Sequence, residues 1–328
     1  MPGARAPRIA VFGAGSVGAL VAGRLAAAGR QVTLVARGSR LADVRANGVR
    51  LADEGGPVSR IEVAACAADE AGVHDIVFIA LKGGDVPAAR ADIARLVGPA
   101  TLVVPLLNGI PWWYRQPTGT APVRAVDPEG ALALSFAPER LAGAVLFLTS
   151  ALHADGVVHV RGRPRIVVGP VVEGNGRALE GLAAVFAGSG IDLALVPDVR
   201  ADMWSKVALN LATNPLSVVA EATLEAQFHD PALLAVVRQV LEEVLALARA
   251  EGCEPRLGLE EMIAVGARQG PFRTSMAQDF AAGRALELGA ICGSVFELAE
   301  EAGMAMPVAR ALHDLCAFKA ARRACASA

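Results

Sequence analysis

Residues 8–18 read Arg8-Ile9-Ala10-Val11-Phe12-Gly13-Ala14-Gly15-Ser16-Val17-Gly18, a short apolar run that breaks into three glycines at the spacing GxGxxG. The run has strand length, and the small-residue stretch from Ser16 to Gly29 reads as a helix closed by a glycine. In such a strand–turn–helix the first glycine permits the tight turn and the second lets the backbone approach a pyrophosphate. The third lets helix and strand pack closely. Free N–H groups at the helix N-terminus then face the phosphates. The segment predicts a dinucleotide site built from Gly13, Ala14, Gly15, Ser16, Val17 and Gly18, the competing reading being a purely structural turn.

Outward from this loop, 31–36 reads as a β-branched strand and 39–47 as a helix closing at Gly48, with short strands near 49–51 and 58–64. Apolar runs at 74–81 and 101–106 have strand length and flank a helical stretch at 85–97. Strands alternating with helices predict a parallel sheet covered on both faces. From about 123 to 170 strands separated by turns are expected, at 145–150, 157–160 and 165–168. Beyond Pro197 only helical patterns follow, at 199–213, 215–227, 231–251, 258–268 and 285–303, with a last helix from about 307. The fold class is therefore α/β: a Rossmann-type dinucleotide-binding domain over 1–197 and an all-helical domain over 198–328.

The chain has 328 residues, 54% of them hydrophobic, which excludes general disorder. A formal net charge of −2 gives no electrostatic reason to expect nucleic acid or an acidic membrane surface as partner. Mean hydropathy is high at +0.44, yet every long apolar stretch is interrupted. The stretch 96–107 is 12 residues long and carries Pro99 and Pro105, against about 20 apolar residues for a spanning helix. Arg5 and Arg8 before the uncharged run 9–23 imitate a signal peptide, but the glycine spacing explains that run, and no targeting segment is read. Five scattered cysteines without a CxxC pair suit a reducing cytoplasm. The five histidines form no HxxxH or HExxH pair, so no metal site is expected.

An acidic residue about 20 positions past the glycine loop would hold a ribose 2′-hydroxyl. Leu34-Val35-Ala36-Arg37-Gly38-Ser39-Arg40 stands there instead, with no carboxylate. Arg37 suits a 2′-phosphate, with Arg40 as a helper, which favours NADPH over NADH; the bland alternative is a solvated loop arginine.

Of 31 basic residues only Lys82, Lys206 and Lys319 are lysine, and only five residues are asparagine. A chain so biased toward arginine keeps lysine where a compact ammonium with a transferable proton is needed. In 203–214 (MWSKVALNLATN), Lys206, Asn210 and Asn214 fall at i, i+4 and i+8 on one helical face amid apolar neighbours. A polar stripe there is costly unless something satisfies it. Either it is a site, or a helix capped by Pro215 ends in polar residues. Lys82 and Asn108 follow the strands at 74–81 and 101–106, at the carboxyl edge where open sheets bind ligands, and fit a nicotinamide and its ribose.

These residues together resemble the ketopantoate reductase (2-dehydropantoate 2-reductase) family. The matching pieces are GAGSVG at 13–18, Arg37, Lys82, Asn108-Gly109, W-S-K-V-x-x-N-x-x-x-N-P-L over 204–216, S-M-x-Q-D over 275–279, R-x-L-E-L from Arg284, and G-x-x-x-P over 303–307. The resemblance runs in order along nearly the whole chain. It implies an NADPH-binding domain, a helical domain, a cleft between them and a homodimer. By position it implies Lys206 as the catalytic lysine, Glu287 as the carboxylate working with it, and Asn210, Asn214 and Ser275 as substrate contacts. The chemistry agrees: hydride transfer to a 2-oxo acid leaves charge on the former carbonyl oxygen, which an ammonium polarises and protonates.

Two departures bear on the substrate. A further asparagine that the family commonly carries after the lysine helix is missing, with Leu224 near its place. After Gly109 comes Ile110-Pro111-Trp112-Trp113-Tyr114, which reads either as an apolar wall over the substrate or as core. The leading expectation is reduction of 2-dehydropantoate to pantoate for coenzyme A synthesis. The others are a related enzyme acting on another branched or aromatic 2-oxo acid, a member of the wider hydroxyacid-dehydrogenase group, and a non-catalytic NADPH-sensing module. The last has no use for Lys206 or Glu287.

Overall fold

A computed structural model describes residues 5–116, 121–174 and 176–326; Asn175 and the side chain of Cys325 lie outside that set. The chain divides into two compact units. One comprises 1–107, 113–122 and 130–199, the other 108–112, 123–129 and 200–328.

In the first unit the elements are β1 (Ile9–Phe12), α1 (Ser16–Ala27), β2 (Val32–Val35), α2 (Gly38–Asn47), β3 (Val49–Asp53), β4 (Val58–Ile61), β5 (Ala64–Cys66), α3 (Ala68–Ala71), β6 (His74–Ile79), α4 (Val86–Ala94), β7 (Val97–Pro105), α5 (Ala131–Ser135), β8 (Ala142–Leu152), β9 (Val157–Pro170), α6 (Gly176–Phe186) and β10 (Asp192–Leu195). Five strands form one sheet in the order β5-β2-β1-β6-β7, with every neighbouring pair parallel. The chain runs outward from β1 to β5 on one side, then returns to β6 and β7 on the other. The strand order therefore reverses beside β1, where ligands of open parallel sheets bind. Ile9, Ala10 and Val11 are fully buried, as expected of a central strand covered on both faces.

A second sheet runs β10-β9-β3-β4, with β8 paired antiparallel to β9. The separate strands expected at 157–160 and 165–168 are one strand, β9. Its first part pairs with β3 and its later part with β10, while β8 runs along both. The turn-like Arg161-Gly162-Arg163-Pro164 sits where the β8–β9 register shifts, between Phe147 and Thr149, so it marks an irregularity inside a ladder. α6 and β10 were not expected from the sequence. Trp112, Trp113 and Tyr114, which read either as core or as an apolar wall, are all buried.

The second unit holds α7 (Arg200–Val219), α8 (Leu224–His229), α9 (Pro231–Ala250), α10 (Leu259–Ala267), α11 (Ser275–Ala281), α12 (Ser294–Glu301) and α13 (Pro307–Ala326). α9 buries Val237, Val240, Leu241, Val244 and Leu245, the three-and-four spacing of one helical face. Asp230 caps it by accepting the N–H groups of Ala232 and Leu233, with Pro231 in the first turn. The break expected at Pro215 is absent, since α7 runs through it to Val219. A proline costs the helix one hydrogen bond, and burial from Leu211 to Val218 outweighs that local loss. The helix expected over 285–303 is a π turn, Gly289–Gly293, followed by α12. Among the described residues no helix is long and apolar enough to cross a membrane.

Candidate active site

The three glycines of the loop differ in what surrounds them. A Cβ on Gly13, whose φ is +110°, would lie 2.4 Å from the carbonyl oxygen of Ala80; one on Gly18 would lie 1.8 Å from that of Gly13. Both positions are closed by backbone and accept only glycine. At Gly15 an added Cβ meets no atom within 4 Å. Gly15 is also the N-cap of α1 and offers no side-chain partner to the first-turn N–H groups. The loop is thus held tight at its first and third glycines and left open at the second, which suits a pyrophosphate seated against backbone.

The loop also gathers its neighbours. The Gly13 N–H donates to the Val35 carbonyl at 2.9 Å, two residues before Arg37, and the Ala80 N–H donates to the Phe12 carbonyl at 2.8 Å, two residues before Lys82. Arg37 is the exposed N-cap of α2, and its extended backbone leads the chain from β2 into that helix. Arg40 has protein partners of its own. Its Nε donates to the Ala14 carbonyl at 3.2 Å and its Nη1 pairs with Asp43 at 2.6 Å. Asp43 also holds Arg50 and Asn47, each at 2.8 Å. The sequence offered Arg40 as a helper to Arg37; the structure makes it a brace of the glycine loop.

Lys82 is half-buried and opens the short 3-10 turn Gly83–Asp85 after β6. Asn108, also half-buried, comes three residues after β7 and belongs to the second unit. The adjoining Gly109, at φ +82°, packs so closely on the π turn that a Cβ would lie 1.9 Å from the Ala290 carbonyl oxygen. Asn108-Gly109 is therefore fixed against the segment that begins with Glu287, whose carbonyl accepts the Ile291 N–H at 3.0 Å.

On α7, Lys206 and Asn210 are partly buried and Asn214 is buried. Several other polar groups of this helix are used structurally. Asp202 binds Arg256 at 3.2 Å, the Ser205 hydroxyl accepts the Leu257 N–H at 3.0 Å, and the Thr213 hydroxyl donates to the Leu209 carbonyl at 2.7 Å. Desolvation lowers the pKa of the Lys206 ammonium below the ordinary lysine value. A lysine shifted this way is a better proton donor near neutral pH. Ser275 opens α11, whose N-cap is Thr274, and it is exposed. The buried hydroxyls of Thr274 and Ser217 meet at 2.6 Å, tying the start of α11 to α7 just after Asn214. Sequence reasoning missed α11 and this tie, although a threonine three residues before the Ala277 N–H it caps is a helix-start signal. Among the described residues no group of three or more His, Cys, Asp or Glu could hold a metal ion.

Two family models match the chain: "Ketopantoate reductase PanE/ApbA" over 9–173 and "Ketopantoate reductase PanE/ApbA C terminal" over 198–320. A 2-dehydropantoate 2-reductase of Mesorhizobium japonicum is 33% identical over 326 residues, covering 98% of this chain and 100% of that protein. The crystal structure of a Ralstonia solanacearum protein taken to be a ketopantoate reductase is 33% identical, with a TM-score of 0.89 over 97% of this chain and 99% of that one. A D-mandelate dehydrogenase in ternary complex with NADH and anilino(oxo)acetate shares the fold at 20% identity, with a TM-score of 0.84 over 96% and 98% of the two chains.

Proposed function

This chain belongs to the ketopantoate reductase family, an oxidoreductase family using a nicotinamide cofactor, and from that premise we propose that it reduces 2-dehydropantoate to pantoate with NADPH. The observation that carries the reading is α7, which sets a lysine with a lowered pKa in line with Asn210 and Asn214. The non-catalytic sensing alternative falls away with family membership.

In this reading residues 1–197 hold the dinucleotide and residues 198–328 the 2-oxo acid. Gly13, Ala14, Gly15, Ser16, Val17 and Gly18 cradle the pyrophosphate, Arg37 pairs with the 2′-phosphate, and Lys82 and Asn108 hold the nicotinamide ribose. The bound cofactor supplies a hydride to the carbonyl carbon. Lys206 polarises the carbonyl and donates a proton to its oxygen as negative charge develops there. Asn210, Asn214 and Ser275 are neutral donors for the substrate carboxylate, which leaves the ammonium free for the ketone. Glu287 orients Lys206 or the new hydroxyl. Self-association into a homodimer is part of the same proposal; Leu315 and Phe318 on α13 are exposed apolar residues available to it.

The D-mandelate dehydrogenase complex supports a second reading, reduction of another 2-oxo acid on the same scaffold.

Cofactor preference has its own test. Arg37→Asp removes a charge-assisted pair to the 2′-phosphate and adds repulsion, so the ratio of kcat/KM for NADPH over NADH is expected to fall about 10²-fold. Equal efficiency with the two cofactors in the parent protein would show that Arg37 does not choose between them.

A further inference from the structure

Lysine is scarce in this chain, and the cofactor and proton-transfer roles use two of the three. The third, Lys319, lies on α13 and is bound at the C-terminal end of α7. Its ammonium donates to the carbonyls of Val218 at 2.9 Å and Val219 at 3.2 Å, and to the Glu221 carboxylate at 2.7 Å. Val219 is the last residue of α7. Just beyond it, Glu221 is the one non-glycine residue with positive φ among the described residues, at 54°. A side chain rarely adopts that conformation, and here the ion pair to Lys319 accompanies it. The pairing also lowers the Glu221 pKa, chiefly through the hydrogen bond from Lys319. One turn further along α13, Arg323 donates to the carbonyl of Ala281 at 2.8 Å, the final residue of α11. The Phe280 ring is near both cations, 5.7 Å from the Lys319 nitrogen and 4.8 Å from the Arg323 guanidinium carbon.

One face of α13 therefore caps two helices with cations, at the ends where the helix dipole and unpaired carbonyls are negative. Those two helices carry Asn210, Asn214 and Ser275. They are also joined at the other end of α11: Ser217 donates to the Asn214 carbonyl at 2.6 Å and meets the Thr274 N-cap hydroxyl at 2.6 Å. Asn214 and Ser275 thus belong to a pair of helices pinned at three places, and two of the pins come from α13. A compact ammonium with three donors fits the three oxygens at the end of α7, which accounts for lysine in a chain that otherwise uses arginine.

We propose that Lys319, seconded by Arg323, is a positioning residue that fixes α7 against α11 and so sets the spacing of the groups that receive the substrate carboxylate. The proposal rests on the reading of Asn214 and Ser275 as substrate contacts. It separates α13 from a merely structural role, because loosening this clamp is expected to act on substrate binding before it acts on proton transfer from Lys206, which lies more than three turns back along α7.

The test uses the full chain with steady-state kinetics on 2-dehydropantoate and a thermal melt of each variant. In Lys319→Met, KM for the 2-oxo acid is expected to rise about tenfold with kcat and KM for NADPH within about threefold of the parent. Lys319→Arg, with a longer planar head group, is expected to recover the melting temperature but to leave KM raised by about threefold or more. A folded Lys319→Met protein with parental KM overturns the proposal. So does a change confined to melting temperature. Should Lys319→Met not fold, Lys319→Arg carries the test, and a folded arginine variant with parental KM for the 2-oxo acid overturns the proposal equally. Asn214→Ala, measured alongside, tells the two levels apart: a raised KM there with a parental KM in Lys319→Met rejects the clamp and keeps the substrate reading, whereas a parental KM in Asn214→Ala rejects the substrate reading itself.

Discussion

Replacement of Lys206 by alanine is expected to lower turnover about 10²–10⁴-fold, the usual contribution of a positioned proton donor, while NADPH binding stays near the parental value. The separation follows from the proposed roles, since the dinucleotide is assigned to the glycine loop and Arg37, and not to α7. Lys206→Arg is expected to remain impaired, because a guanidinium gives up its proton too reluctantly near neutral pH and has a different shape. Burial lowers the Lys206 pKa, and the donor is active only when protonated. Activity is therefore expected to fall as pH rises through that lowered pKa, with the alkaline limb of kcat below the ordinary lysine value of about 10.4. That limb should vanish from the residual activity of Lys206→Ala. An alanine variant with normal turnover would remove Lys206 from the mechanism; one that has also lost NADPH binding would report misfolding.

The second large effect divides the glycine loop. Gly18→Ala places a methyl carbon 1.8 Å from the Gly13 carbonyl oxygen, a contact that backbone alone can relieve. It is expected to destabilise the protein by about 2–4 kcal/mol, seen as a lowered midpoint in urea. Gly15→Ala meets no atom within 4 Å, and the fold should tolerate it. Its cost falls on the ligand: a methyl group between backbone and pyrophosphate sacrifices charge-assisted hydrogen bonds, so NADPH should bind about 10–10²-fold more weakly at nearly parental stability. A Gly15→Ala protein that binds NADPH normally would contradict the assignment of the pyrophosphate to this loop.

These contrasts show where sequence was sufficient. GxGxxG, the buried β1 and the Lys206–Asn210–Asn214 stripe were legible because each rests on a short-range pattern: a turn that needs glycine, a continuous apolar run of strand length, a period near four. Failures came where distant partners overrode local signals. Gly162 and Pro164 look like a turn, yet β8, β3 and β10 together hold β9 as a single strand. Pro215 looks like a helix end, but the buried face around it carries α7 past the lost hydrogen bond. Arg40 was read only as a helper to Arg37, and its bonds to Asp43 and the Ala14 carbonyl, which brace the glycine loop, were not legible locally. Lys319 stood out only by rarity; its use depends on α7 and α11 ending near α13, which no local pattern encodes.

Substrate and chemistry can be read in a single assay. Purified protein is supplied with NADPH and, in turn, 2-dehydropantoate and a panel of branched and aromatic 2-oxo acids, and cofactor oxidation is followed. The highest kcat/KM is expected for 2-dehydropantoate. A higher kcat/KM for an aromatic or another branched 2-oxo acid, or no oxidation of NADPH with 2-dehydropantoate, would contradict it.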